Sequence, residues 1–224
     1  MPEVCKRAVR QFVKVLAGLA VLGLAAASLW HGVLAAKSDA DSLRARWLIN
    51  QWRDNTGPAV NLALWQQTIE DLQAAVQLTP NNAQLWDDLG FLFGERAVGL
   101  GTPDADSEDY ELQQALLISA LDNYRMATKL RPTFPYAWAN LAQVKHLKGE
   151  TDAELWAAYD KAVRYGRNEP GVQVLLARVA FAQWETLSPM RKSQIADMIE
   201  QARPGPRQDL YNIGEQNGVV LLNM

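Results

Sequence analysis

Cysteine occurs once in this 224-residue chain, at Cys5, and histidine only twice, at His31 and His146. A single thiol closes no disulfide within the chain. Cys5 also precedes the long apolar run, where a lipidated cysteine would have to follow it. No two histidines stand at metal-binding spacing, and there is neither a glycine-rich phosphate loop nor a Gly-x-Ser-x-Gly elbow. The expectation is a protein that is not an enzyme, with no catalytic residues, no metal and no cofactor. Paired carboxylates of glycosidase type are the one arrangement the composition leaves open, and the acids fall mostly on outward helix faces.

Charge is scarce along one stretch. From Val15 to Ala36 the clearly polar residues are Ser28 and His31, and 22 helical residues reach about 33 Å, enough to cross a hydrocarbon core. This segment is predicted to be a transmembrane helix. Residues 1–14 form a basic N-terminus, with Lys6, Arg7, Arg10 and Lys14 against Glu3, so the positive-inside rule places it in the cytoplasm and the rest of the chain outside. In a bacterium that means an inner-membrane protein with a periplasmic domain. A cleaved secretory signal is the competing reading, because Ala25-Ala26-Ala27 and Leu34-Ala35-Ala36 offer small-residue cleavage sites. Removing residues 1–14 takes away four of the 22 bases and one of the 25 acids, which leaves a net charge of −6. Such an exterior does not attract phosphate backbones, so nucleic acid is not an expected partner.

Beyond a linker and juxtamembrane helix at 37–59, the region 60–203 repeats itself. Trp86-x2-Leu89-Gly90-x2-Phe93 and Ala120-x3-Tyr124-x2-Ala127-x4-Pro132 follow the tetratricopeptide spacing, with aromatic exchanges at two places. Trp138-x2-Leu141-Ala142 opens the next unit, and Tyr159 and Ala162 answer Tyr124 and Ala127. Leu72, Ala75 and Pro80 close an earlier, partial unit. Small residues fall where backbones approach and aromatics fill the gaps between turns. Pro132 stops a helix, since it has no N–H and its ring clashes with the preceding turn. A degenerate third pair is predicted from Val172 to Glu185 and from Ser188-Pro189, an N-cap followed by proline at the first helical position. Arg203-Pro204-Gly205-Pro206 ends it. The tail 204–224 is expected to carry a capping helix from Arg207, with Leu210 and Ile213 facing inward. The fold class is therefore all-α: a tetratricopeptide-like α-α superhelix following one N-terminal transmembrane helix.

The first full unit is stretched by an insertion at about 99–116. Its acids, Asp104, Asp106, Glu108, Asp109 and Glu111, lack the glycine and terminal glutamate of a calcium loop. They read as a solvated loop and helix-N-terminal acids, on an insertion placed to become a contact arm. With Trp86, Leu89, Gly90 and Phe93 turned into the helix pair, Gln84, Asp87, Phe91 and Glu95 share a neighbouring stripe. Tyr136, Asn140, Gln143 and His146 form the equivalent stripe of the next unit. These eight residues are the predicted partner-binding groove, a mixture of amide, acid and aromatic suited to an extended peptide.

Leu78-Thr79-Pro80, Trp86 to Phe93, Tyr124-Arg125-Met126-Ala127 and the run Arg131 to Ala142 resemble the VpsP-type proteins found with bacterial exopolysaccharide biosynthesis. The resemblance implies a membrane anchor joined to tetratricopeptide-like helices. It also implies a scaffold role in exopolysaccharide biosynthesis or export, with protein partners in an envelope polysaccharide assembly complex. No active-site residue travels with it. Two other functions fit the same residues: a tetratricopeptide holder in cytochrome maturation or pilus assembly, and a glycan-binding or carbohydrate-active protein.

Overall fold

A computed structural model describes residues 2–54 and 56–219. The side chains of the first nine residues, Cys5, Lys6 and Arg7 among them, lie outside the described residues, as does the end of the tail at 220–224.

The first helix, α1 (Pro2–Arg53), is unbroken. The sequence reading places a linker after Ala36, but no glycine or proline falls between Val33 and Thr56, so nothing interrupts the hydrogen-bond ladder. Lys37 and Asp41 pair across one turn at 2.9 Å, and the Ser42 hydroxyl donates to the Ser38 carbonyl. From Phe12 to Ala36 the apolar side chains stand exposed except for the half-buried Leu34, and Arg10–Arg53 includes a stretch long and apolar enough to cross a membrane. From Ser38 onward one face is buried: Ser38, Ser42, Ala45 and Ile49, at alternating four- and three-residue steps.

That face packs on α2 (Leu62–Leu78), which begins at an Asn61 side-chain cap and turns Leu72, Ala75 and Val76 toward α1. Ser38 donates its hydroxyl hydrogen to the Ala75 carbonyl at 3.0 Å. The outer part of α1 thus supplies the first helix of the partial unit. Three more pairs follow: α3 (Ala83–Val98) with α4 (Glu108–Leu130), α5 (Pro135–Leu147) with α6 (Ala153–Gly166), and α7 (Pro170–Ala182) with α8 (Pro189–Gln201). A short 3-10 turn, Trp184–Thr186, precedes α8. Caps from Asn82, Ser107, Asp152 and Ser188 each satisfy a backbone N–H left over at a helix start. Gly149, at φ +80°, lets the chain reverse between α5 and α6. Each pair's second helix touches the next pair's first, and α9 (Pro204–Gln216) lies on α7 where the first helix of a fifth pair would stand. Leu210 and Ile213 of α9 are buried. Pro204 and Pro206 end α8 and also start α9, because the first turn of a helix needs no N–H partner there.

The insertion divides into a loop at 99–107 and added turns at the start of α4. Gln113 donates to the carbonyls of Ala97 and Gly101 and ties the loop down. Glu108, Asp109 and Glu111 occupy the first turn of α4, at the positive end of its dipole.

Two hydrogen bonds account for the repeat's opening spacing. The Trp86 indole N–H donates to the Pro80 carbonyl at 2.8 Å, and Trp138 donates to Pro132 at the same distance. The proline that halts one pair and the tryptophan that opens the next are therefore one clasp, six residues long. Trp86→Phe or Trp138→Phe keeps the ring and loses the donor. Each is expected to lower stability by about 1 kcal/mol, read as a shift in denaturant midpoint at unchanged slope.

Candidate functional site: a cleft between the leading helices

The leading helices of the first three pairs (α1, α3 and α5) converge on a cleft of about 460 Å³. Its lining is Arg46, Asn50 and Arg53 from α1, Gln84, Asp87 and Asp88 from α3, Tyr136 and Asn140 from α5, and Phe134 just ahead of α5. The three α1 residues lie at four- and three-residue steps and so share a stripe. Four of the eight predicted groove residues meet here: Gln84, Asp87, Tyr136 and Asn140.

Electrostatics dominate the α1–α3 wall. Arg53 reaches Asp87 Oδ2 at 3.1 Å with one arm and Asp88 Oδ1 at 3.1 Å with the other. The Gln84 amide also donates to Asp88 Oδ1 at 2.9 Å. Asp87 is 3% exposed and Asp88 2%. Burial outweighs the attraction of Arg53 and pushes the Asp87 carboxyl up to about 6. Asp88 is raised as well, again by burial. Asp87 Oδ1 lies buried without a hydrogen-bond partner. Asp87 therefore lines the cleft as one partner of a buried ion pair that joins the C-terminal part of α1 to the repeats.

Phe91 and Glu95 sit elsewhere. They line a second cleft of about 430 Å³ with Trp52, Trp65 and the segment Gly57 to Val60. Phe91 has its neighbour in the Arg53 guanidinium, 4.7 Å above its ring centre. Gln143 and His146 line neither cleft. Gln143 Oε1 is buried and unpartnered, and His146 is half-buried with its pKa lowered by desolvation.

Sequence reasoning missed Arg46, Asn50 and Arg53 because α1 reads as an anchor and its extension. It also missed Lys145, whose side chain is 1% exposed. Lys145 holds Glu150 at 2.8 Å and Asp152 and Glu154 at 2.9 Å each. Desolvation pulls its pKa down, and the three carboxylates together raise it above the ordinary lysine range. Arg125 from α4 grips Glu154 with two bonds of 2.8 Å. That grip, helped by Lys145, holds the Glu154 carboxyl down at about 2. The cluster locks the α5–α6 turn to α4. Among the described residues no group of three or more histidine, cysteine, aspartate or glutamate side chains is placed to hold a metal ion.

No family model matches the chain, and no curated protein sequence matches it. Among solved structures it is similar to a thermophilic TPR protein of Thermus thermophilus, with a TM-score of 0.57 and 19% identity over 82% of each chain. At that identity the likeness speaks to fold, and the fold is tetratricopeptide-like.

Proposed function

We propose that this chain is a single-pass scaffold of the bacterial inner membrane, with its N-terminus in the cytoplasm and its repeats in the periplasm. In this reading it presents the α1–α3–α5 cleft to an extended segment of a protein partner during exopolysaccharide biosynthesis or export. The cleft carries the reading: three leading helices, the first of them continuous with the apolar span, bring amide, charged and aromatic groups to one hollow, as stacked repeats do for peptides. The positive charge ahead of the span supports the orientation. The likeness of Arg131 to Ala142 and its companions to the VpsP-type proteins supports the polysaccharide context.

A photo-crosslinking residue in place of Asn140, introduced in intact cells, tests this directly. Adducts with a polymerase, flippase or export component are expected. Adducts confined to cytochrome-maturation or pilus proteins would move the scaffold to another process, and saturable heat on titration with oligosaccharides would replace it with a glycan binder.

Energetics separate binding from folding at this site. Arg46, Asn50 and Asn140 are half-buried or exposed. The triple change Arg46→Ala, Asn50→Ala, Asn140→Ala is expected to alter stability by about 0.5 kcal/mol or less per site while weakening partner capture in a pull-down. An equal loss of melting temperature and capture would place these side chains in the fold instead.

A further inference from the structure

The first helix has two opposite faces outside the membrane. One is the buried stripe Ser38, Ser42, Ala45 and Ile49, which docks on α2. The other, two residues out of phase, starts from Ala36 at the end of the span and continues through Ala40, Leu43 and Trp47, all exposed, with Leu43 at 68% and Trp47 at 56%. Its steps of four, three and four residues are those of a coiled-coil seam. The next position on this beat, Asn50, belongs to the cleft, so the seam ends at Trp47. Stacked-repeat proteins close their ends with polar faces. The far end has α9 as a cap, and the near end has a polar outer face on α2, at Gln66, Glu70, Gln73 and Gln77, beside this apolar stripe on α1.

Lipid does not account for the stripe. Trp47 lies eleven residues beyond Ala36, about 16 Å along a helix, whereas the headgroup layer is only about 5–8 Å thick on each side. The charges Lys37, Asp39 and Asp41 come between. A second copy fits better. With Ala40 and Trp47 at a and Leu43 at d, Asp39 takes g and Arg44 takes the next e, the positions that pair across a parallel two-stranded coil. Among the described residues the Asp39 carboxylate has one side-chain contact within its own chain, an exposed one to Arg46 at 3.2 Å, which is weak enough to exchange. An anchor that spans the bilayer in one orientation makes every encounter parallel and raises the local concentration of partners, as a tether does.

We infer that the protein pairs with a second copy of itself through the outward face of α1, Ala36, Ala40, Leu43 and Trp47 meeting their counterparts, with Asp39 opposite Arg44 of the other chain. The inference rests on the proposed membrane anchoring and is independent of what the cleft binds.

Cysteine scanning of the full chain in membranes, in a Cys5→Ser background, tests it. Ala40→Cys, Leu43→Cys and Trp47→Cys are expected to give disulfide dimers several-fold more abundant than Glu70→Cys and Gln73→Cys on the outer face of α2. Asp39→Arg and Arg44→Asp are each expected to lower the dimer yield of Leu43→Cys, and the two together to restore it. Equal yields at all positions, adducts with another protein, or protection of Leu43→Cys from an aqueous maleimide without dimer would overturn the pairing. Alkaline extraction separates the two readings. A chain retained in the membrane pellet without a periodic pattern refutes the pairing alone, whereas a chain released to the supernatant refutes the anchor and, with it, the parallel encounter.

Discussion

Gly90→Ala is expected to lower stability by about 1–3 kcal/mol, and Gly94→Ala, one turn later on the same helix, to raise it by about 0.5–1 kcal/mol. Helix propensity favours alanine equally at both sites, so the surroundings decide the sign. A Cβ on Gly90 would lie 2.8–2.9 Å from three ring atoms of Tyr124. That ring is buried within the α3–α4 pair and cannot swing away without displacing its neighbours. A Cβ on Gly94 would meet Val144 at 3.8 Å and Ala120 at 4.0 Å, ordinary van der Waals contact. Leucine at 90 adds volume to the same clash and is expected to exceed the alanine cost. Chemical denaturation of the three variants checks the order. If Gly90→Ala proves as harmless as Gly94→Ala, Tyr124 does not seal the pair and the account of the repeat's small-and-large spacing fails.

This pairing is also where sequence and structure agree best. Gly90 and Tyr124 stand at repeat positions, and a repeat encodes its own contacts because each small residue must meet a large one in the partner helix. The repeat positions of Trp86, Pro80, Trp138 and Pro132 were legible for the same reason, as was the Ser188-Pro189 start of α8, but the indole-to-carbonyl bonds that join each tryptophan to its proline were not. The cleft was legible only by half. A three-and-four-residue stripe says which side chains share a face, so Gln84 and Asp87 were found together, and so were Tyr136 and Asn140. It does not say which other helix completes the wall. Arg53 and Asp87 lie 34 residues apart, and nothing local to either announces a bond. The same holds for Arg125 and Glu154, 29 residues apart. Asp87 looked like a solvated acid because a charged residue beside a core stripe usually is one. Its burial follows from α1 passing over it, which the sequence conceals by making α1 look like a tether.

The continuity of α1 gives the ion pair at its end more than a local meaning. One continuous helix enters the superhelix as its first member, so the contacts of α1 with α2 and α3 fix how the repeats stand on the apolar N-terminal part of that helix. The apolar part of that contact is modest on the α3 side, where Arg53 supplies the polar bond.

Arg53→Ala is accordingly expected to destabilise the fold by about 3 kcal/mol, the lower end of what removing one partner from a buried ion pair costs, since Arg53 itself is 30% exposed. The larger part of that loss comes from two carboxylates left buried side by side. Asp87 already titrates at about 6 against an ordinary 3.8, with burial the first cause and Arg53 the main opposing influence. Because its folded pKa lies above its unfolded one, the folded state binds the extra proton between about 4 and 6. This contribution is fully present below the unfolded pKa and is lost as pH rises through the folded one. Removing Arg53 takes away the attraction that lowers both carboxyls, so the window extends upward and the variant loses more stability than the parent between pH 6 and neutrality. Adding Asp87→Asn to Arg53→Ala removes the charge without the volume and is expected to return much of the loss and flatten that pH dependence. Denaturant midpoints of the parent, single and double variants across this range measure it. A single variant whose deficit is the same at pH 5 and pH 7.5 would mean that Arg53 acts through packing, on Phe91 or the cleft wall, rather than by holding two buried charges.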